Sequence, residues 1–458
     1  MNTGGQAVRR YGGRLFLALA ALLVCGTVGA LAQEARVLTL EDALTIARER
    51  NPAYLRAVAQ ADASGANVRA AYGAFLPSLS ASLSWYGNSR TTVTGEDDFG
   101  RPVELPDPFT FRSSSASQGV NSSITVFDGL RNINGLKAAK AGADATEAAV
   151  SLQGTTVEAE VERRFYTAIQ AGRQVEVEEQ LLEVSRQQLA ATERLFRVAA
   201  RTEVDVLGSQ GQVAQQEQQL VRARAEERKA LLRLAEQIGM GGEGEVAVAG
   251  ELPSAFDVSM LDVDSLVAWA LSHSPRTARS EADAAQARYQ ASAARGRRWP
   301  TVSASASFGR SMSLSSYSAM FEIDPQNRSF GFGVSVQIPL FTGFQTSQAI
   351  AQASAQEQVA EETLREARLQ LERDVRSAHI DLATAYRGLE LAQQAGEYSR
   401  RRLAMAQEQY QLGTIDFTAF QQIVTQTSSD ARSLISAELT FASAVVSLEE
   451  LVGERVRP

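Results

Sequence analysis

The sequence predicts a mainly α-helical chain made of two copies of one structural repeat, each a strand pair followed by a very long helix that turns back. The first observation is an internal repeat with an offset of 223 residues, carried by Asn51-Pro52 with Ser274-Pro275 and by Leu76-Pro77 with Trp299-Pro300. The second is an alternation of apolar and small polar residues that follows Pro77 and again follows Pro300. The third is length, because 130–198 and 344–412 are stretches of 69 residues without proline.

The bulk composition excludes some classes of function. The chain has 458 residues, a formal net charge of -8 and a pI near 5.2. We therefore expect no nucleic-acid partner, because binding to phosphates requires a basic surface. Aromatic residues make up only 7% of the chain, which is unusual for a globular enzyme.

The first 32 residues predict a signal peptide, so the chain is expected to be exported. An apolar run at 15–24 follows three arginines, and Ala30 and Ala32 supply the small residues of a cleavage site. Cleavage after Ala32 removes Cys25, the only cysteine, so the mature chain has no disulfide. Lipidation of Cys25 is the alternative, although Val24 is large for the preceding position. No later apolar run approaches the roughly 20 residues of a membrane-spanning helix.

Each repeat is expected to contain a helix, two strands and a long helical hairpin. The first repeat spans 33–238 with strands at about 78–87 and 117–127, and the second spans 262–452 with strands at about 301–313 and 329–341. One face of these strands is apolar, and the other consists of small polar residues. The apolar set includes Leu79, Leu83, Trp85, Val120, Ile124, Val302, Phe308, Phe332, Val334 and Val336.

The strands predict a share of a membrane β-barrel. Each segment reaches the roughly 9–11 residues that cross a bilayer at a tilt, and Trp85, Phe127, Phe330 and Phe341 lie near the ends. Four strands cannot close a barrel, and open edges are not tolerated in lipid. The barrel must therefore be shared between chains. The alternative, a sheet sandwich with one wet side, lacks a second apolar layer in this sequence.

The long helices predict a structure that crosses a distance. In the second copy Leu364, Leu371, Ala378 and Ala385 recur every seven residues, which is the seam of a coiled coil. A helix of 69 residues spans about 100 Å. Each helix is expected to reverse at a short tip, near 198–202 in the first copy and near 412–416 in the second.

Residues at the tips have the chemistry of helix ends. Gly413 suits a left-handed cap, and Asp416 and Thr202 suit the first positions of the returning helices. Ala199 stands where the first copy would place the glycine. Between the copies, 239–261 is expected to be a linker or equatorial region outside the long helices, and 453–458 a C-terminal tail.

The order of these motifs resembles the TolC-like outer-membrane efflux protein family over about 38–452. The resemblance rests on the repeated strand entry, on the exits Phe127-Asp128-Gly129 and Phe341-Thr342-Gly343, and on the tip Tyr410-Gln411-Leu412-Gly413-Thr414. It implies a homotrimer with a 12-stranded barrel in the outer membrane of a Gram-negative bacterium and a 12-helix periplasmic α-barrel. It also implies a periplasmic adaptor protein and an inner-membrane pump of RND or ABC type as partners.

The resemblance further implies a periplasmic gate at the tips. In similar proteins an aspartate after the first tip bonds a tyrosine before the second, and Asp205 and Tyr410 occupy those positions. Ala419 and Gln422 stand where two aspartates are often found, and Ile415 stands where an arginine is often found. The remaining candidates for the gate are Arg201, Glu203 and Asp416, for which a role as solvated tip charges stays open.

Adaptor docking is expected at the tips as well. It would use the tip backbone and the small residues Ala199, Ala200, Gly413 and Thr414.

Nothing in the sequence indicates an enzyme, a cofactor or a metal site. His273 and His379 lie in separate predicted helices, and no Gly-rich phosphate loop occurs. The sequence therefore predicts a passive conduit for small molecules or secreted proteins, and it does not separate these cargoes. The alternative is a coiled-coil spacer or adhesin without channel activity. Loops at about 88–113 and 314–328 would face the exterior.

Overall fold

The computed structural model describes residues 36–241, 246–314 and 327–457. The expected signal peptide, its cleavage site and Cys25 lie outside the described residues. Within the described ranges, none of the helices combines the length and apolarity that crossing a membrane requires.

The N-terminal half of the described chain consists of six main elements and a short strand. In chain order these are β1 (Arg36–Leu38), α1 (Leu40–Arg50), α2 (Pro52–Gly73), β2 (Ser78–Glu96), β3 (Pro102–Phe127), α3 (Arg131–Arg197) and α4 (Glu203–Gln237). A short strand, β4 (Val246–Val248), follows and pairs in parallel with β1.

The C-terminal half follows a 3-10 turn at Val258–Met260 and has the same order of six main elements. These are α5 (Val263–His273), α6 (Pro275–Gly296), β5 (Thr301–Leu314), β6 (Arg328–Gln337), α7 (Gln345–Gln411) and α8 (Phe417–Val452). α3 and α7 each have 67 residues, which corresponds to a length of about 100 Å.

The repeated X-Pro pairs separate two consecutive helices in each copy. The Asn51 side chain accepts hydrogen bonds from the backbone N–H groups of Ala53 (2.8 Å) and Tyr54 (3.1 Å), and Pro52 occupies the first turn of α2. Ser274 caps α6 in the same way, next to Pro275. Proline is tolerated at this position because the first N–H groups of a helix have no intrahelical acceptor.

The four long strands form one antiparallel sheet in the order β2-β3-β5-β6. β6 ends at Gln337, earlier than expected, because Pro339 cannot donate a hydrogen bond to a neighbouring strand. Among the described residues, β2 and β6 each pair with a strand on one side only, so the sheet has two open edges.

The expected loop at 88–113 is instead a β-ribbon that extends β2 and β3 beyond the rest of the sheet. The pairing continues from Asn88 with Ser113 to Glu96 with Pro102, with one register shift near Thr92. Thr91 and Thr110 face each other with their hydroxyl oxygens 2.9 Å apart. β-Branched threonines favour extended backbone even where no apolar face is present. The expected loop at 314–328 lies largely outside the described residues.

The helices form a layer in which α3 is central. The first half of α3 packs between α2 and α6, and α6 packs against α7. The second half of α3 packs between α4 and α8, and α8 packs against α7. One apolar core surrounds α1, α3 and α4, and another joins α5, α7 and α8. The predicted seam contributes Leu371, Ala378 and Ala385 to the second core.

Candidate functional site

The two hairpin tips lie side by side at the end of the helical layer. The Arg201 guanidinium, in the first tip, donates a hydrogen bond of 2.5 Å to the backbone carbonyl of Ile415 in the second. Its carbon also lies 5.0 Å from the centre of the Tyr410 ring. A cation over an aromatic face is attracted by the electrons of the ring. Arg201 therefore connects the two hairpins of one chain.

The second tip is a left-handed helix end. Gly413 has φ +74°, and its N–H donates to the Tyr410 carbonyl at 3.0 Å. The Thr414 N–H donates to the Gln409 carbonyl at 2.9 Å, and Asp416 accepts from the Ala419 N–H at 2.7 Å to begin α8. These bonds satisfy groups that a helix end otherwise leaves without partners.

The first tip makes the same turn without a glycine. The Ala199 N–H donates to the Phe196 carbonyl (2.9 Å), and the Ala200 N–H donates to the Leu195 carbonyl (2.8 Å). Ala199 has φ +56°, a conformation that crowds a side-chain Cβ against its own backbone. Ala199, Ala200, Gly413 and Thr414 are all exposed, so the surface expected to dock an adaptor is accessible in the chain.

Asp205 closes the start of α4. Its carboxylate accepts hydrogen bonds from the Thr202 N–H and the Thr202 hydroxyl, both at 2.9 Å, while its own N–H donates to the Thr202 oxygen. The backbone hydrogen bond from Thr202 holds the pKa of Asp205 below its ordinary value. This reciprocal arrangement is a capping box, and the resemblance to known channels did not reveal it.

Tyr410 is buried and belongs to a small hydroxyl cluster. It is 2% exposed, and its hydroxyl oxygen lies 2.8 Å from that of Thr192. The Thr192 hydroxyl also lies 3.1 Å from that of Ser209 and donates to the Gln188 carbonyl at 2.9 Å. Because Thr192 has one hydroxyl proton, Tyr410 and Ser209 are the donors to its oxygen. The Tyr410 ring stacks on Phe420, with centroids 4.9 Å apart.

The structure thus separates the residues that the resemblance pairs. Among the described residues no hydrogen bond joins Asp205 to Tyr410, because the cap takes Asp205 and the hydroxyl cluster takes Tyr410. Glu203 is an exposed residue in the first turn of α4. The side chains of the first hairpin that contact Tyr410 are Thr192, through its hydroxyl, and Arg201, over the ring.

A buried charged cluster higher in the helical layer was not expected from the sequence. Glu178 of α3 is 2% exposed and accepts two hydrogen bonds from Arg432 of α8, at 2.8 and 3.0 Å. Gln216 of α4 and Gln174 also donate to it, at 2.6 and 2.5 Å. Burial acts to raise the pKa of Glu178, but the Arg432 hydrogen bonds and charge hold it below its ordinary value.

Two further ion pairs join α3 to α8 above this cluster. Arg163 pairs with Glu450 at 2.6 Å, and Arg173 pairs with Glu438 at 2.8 Å. Together with Glu178–Arg432 they form a ladder along the contact between the two hairpins. The sequence signal was a set of charges on helix surfaces, and nothing in it showed which helix each charge would meet.

The described ranges contain no group of three His, Cys, Asp or Glu side chains arranged to hold a metal ion. His273 stacks on Trp269, with ring centroids 3.8 Å apart, and its Nδ1 lies 3.1 Å from the Trp269 carbonyl. These contacts place His273 at the end of α5, where it supports the helix terminus.

Comparison with known proteins gives consistent matches. The sequence profile of the family described as outer membrane efflux protein matches residues 43–240 and 266–454. Protein CyaE of Bordetella pertussis (strain Tohama I) is 27% identical over 353 residues, which cover 76% of this chain and 70% of that protein. A membrane protein of Pseudomonas aeruginosa has a similar structure, with a TM-score of 0.74 and 19% identity over 91% of this chain and 90% of that one. The crystal structure of CusC, described in connection with transmembrane channel formation, also gives a TM-score of 0.74. It is 16% identical over 93% of this chain and 96% of that one.

Proposed function

The chain belongs to the outer membrane efflux protein family, and from this premise we propose that it is the outer-membrane channel of a tripartite export system. In this proposal three copies form a conduit from the periplasm to the exterior of a Gram-negative cell. The proposal rests on the four-stranded sheet, which has two open edges and one exposed apolar face.

The open edges favour closure between copies. β2 and β6 border the sheet, and unpaired strand edges in lipid would leave backbone groups without hydrogen bonds. The helices next to the sheet lie in the matching order α2-α3-α6-α7, so α2 and α7 form the two edges of the helical layer. α2 has no buried residue along its length, whereas its counterpart α6 buries five. A neighbouring copy against α2 supplies the missing contact. Three copies give 12 strands and, from α2, α3, α6 and α7 of each chain, a ring of 12 helices next to the sheet.

The two faces of the sheet suit lipid on one side and water on the other. Leu79 is 75% exposed and Phe332 is 84% exposed on the apolar face. The opposite face carries hydroxyl pairs between neighbouring strands, Ser84 with Ser117 at 2.7 Å and Ser303 with Ser335 at 2.8 Å. An apolar exterior and a polar interior are typical of membrane barrels. Such a wall of small hydroxyl side chains would let hydrated cargo pass without holding it.

The hairpin tips would form the periplasmic gate. The contacts of Arg201 with Ile415 and Tyr410, and the bond from Tyr410 to Thr192, hold the two tips of one chain together. Opening requires the hairpins to separate, so these contacts favour the closed arrangement. Asp205, through its cap, would set the shape of the first tip, and Glu203 and Asp416 would contribute negative charge near the entrance.

Two partner proteins belong to this proposal, one that binds the hairpin tips and one that provides the energy for transport. A periplasmic adaptor would bind the exposed turns at Ala199, Ala200, Gly413 and Thr414, and an inner-membrane pump of RND or ABC type would drive transport. Both small molecules and secreted proteins are compatible with a passive conduit.

The proposal is tested by membrane extraction and conductance. We expect the mature protein to remain in outer membranes washed with urea and to form ion-conducting channels in planar lipid bilayers. A protein that washes off and forms no channels would instead be a periplasmic spacer.

A further inference from the structure

A row of polar residues crosses the apolar face of the sheet near the β-ribbon. The strand register places Leu83 of β2, Gln118 of β3, Arg310 of β5 and Arg328 of β6 side by side. Side chains two residues apart in a strand share a face, so Arg310 lies on the face of Phe308. The Arg310 guanidinium carbon is 5.9 Å from the Phe308 ring centre. We call Gln118, Arg310 and Arg328 the arginine row.

The arginine row lies near the ribbon-side end of the apolar face, and the next outward positions beyond it are Trp85, Ala116 and Met312. Arg310 is nine residues beyond Thr301, the first residue of β5, which is about 30 Å along a strand at about 3.3 Å per residue. At a tilt of about 40° this corresponds to about 23 Å along a barrel axis, close to the roughly 25 Å height of the apolar band of outer-membrane barrels. Exposed Trp299 and Phe341 lie at the opposite, helical end. The arginine row would therefore lie at the membrane–water interface on the side of the β-ribbon.

The described residues around the two arginines on this face are uncharged. From the start of β5 to the row, the outward positions of these described strands are apolar, small or amide side chains and include no carboxylate. The Arg310 Nε is enclosed and has no hydrogen-bond partner among the described residues. A hollow of about 370 Å³ opens next to it, lined by Leu83, Val120 and Phe308 among others.

We propose that the arginine row binds the phosphate groups of a lipid headgroup in the outer leaflet, with the acyl chains lying along the apolar face toward Phe332. This inference rests on the proposed function, because it requires the sheet to face lipid. Two arginines in adjacent strands present planar forks that match phosphate oxygens with two hydrogen bonds each. Cations on the lipid face destabilise a barrel near the bilayer centre but little at its interfaces. An anionic headgroup at this height would neutralise both charges.

The test is native mass spectrometry of the detergent-extracted assembly with two probes, lipid A and chemically dephosphorylated lipid A. We expect the wild type to retain phosphorylated lipid A about tenfold better than the dephosphorylated form, as befits hydrogen bonds to a charged group. The variant Arg310→Gln/Arg328→Gln loses that preference. Arg310→Lys/Arg328→Lys retains part of it, because charge remains while the fork is lost.

The matched control is Arg90→Gln/Arg365→Gln, which removes two charges outside the row, from the opposite sheet face and from α7. We expect it to bind like the wild type. A Gln variant of the row that keeps the tenfold preference overturns the inference. So does displacement of lipid A by millimolar inorganic phosphate, which would indicate a site for free phosphate.

Conductance separates this inference from the proposed function. A wild type that forms channels but binds the two probes equally overturns the lipid site alone. A wild type that does not enter bilayers overturns the proposed function, and this inference with it. Channels of normal conductance from the row variant, together with lost lipid preference, support both.

Discussion

The substitution Tyr410→Phe tests whether the hydroxyl cluster holds the gate closed. It removes the hydroxyl that donates to Thr192 at 2.8 Å and leaves the stacking of the ring on Phe420 in place. The bond is buried on both sides. The loss of such a bond costs about 1 kcal/mol.

The magnitude follows from the number of copies. If three chains open together, the closed state loses about 3 kcal/mol. Since about 1.4 kcal/mol is a factor of ten in an equilibrium constant, the ratio of open to closed channels should rise about 100-fold. The Thr192 oxygen keeps Ser209 as a donor, so the variant should still fold.

The assay is single-channel recording in planar bilayers, with open probability as the measured quantity. Tyr398→Phe is the matched control, because Tyr398 is an exposed tyrosine on the same helix. Thr192→Val should raise the open probability similarly, and adding it to Tyr410→Phe should have little further effect. An unchanged open probability in Tyr410→Phe, with a normal yield of assembled protein, would contradict the assignment of this cluster to the gate.

Three further substitutions test the tips, the charged cluster and the lipid face. Ala199→Gly should raise the free energy of unfolding by about 1 kcal/mol in urea titration, because Ala199 has φ +56°; a lower value would show that the turn is not strained. Glu178→Gln should lower that free energy by about 2 kcal/mol, because it weakens the bonds to Arg432. The pKa of Glu178 is lowered in the folded protein, so its ionised carboxylate adds to the free energy of unfolding above the ordinary carboxyl pKa, and this addition is lost as the pH falls through the folded-state pKa. The free energies of unfolding of wild type and variant should therefore converge in acid. A difference that stays constant with pH would contradict this. Phe332→Arg should reduce the amount of assembled protein in outer membranes, because an arginine that faces lipid near the bilayer centre costs about 2–4 kcal/mol. Ser335→Thr, on the opposite face, should not reduce it. Equal assembly of the two variants would contradict the assignment of the faces.

The long helices and the strand starts could be predicted because their signals are local. Absence of proline and the seam through Leu371 and Ala378 predict α7, and both residues are buried in the second core. The X-Pro pairs indicate helix boundaries because proline and the cap act on their own backbone. The ribbon at 88–113 was missed because its threonines and polar residues lack a contrast between two faces, and that contrast was the signal used for strands.

The partners of side chains in the candidate site depend on how helices align, which the sequence does not contain. Gly413 and Asp416 act through their own turn, and turn chemistry was enough to predict their conformations. Asp205 has a local partner, Thr202, three residues away, and this cap takes its carboxylate instead of Tyr410. Glu178 and Arg432 are 254 residues apart in the chain, so only the packing of α3 on α8 shows that they meet.

In the proposed assembly the open edges of the sheet close between three chains. The most direct test is the protein mass of the detergent-extracted particle, measured by light scattering with the detergent contribution subtracted. We expect three chains per particle in detergent. A monodisperse single chain, or a protein that stays in solution without detergent, would contradict it.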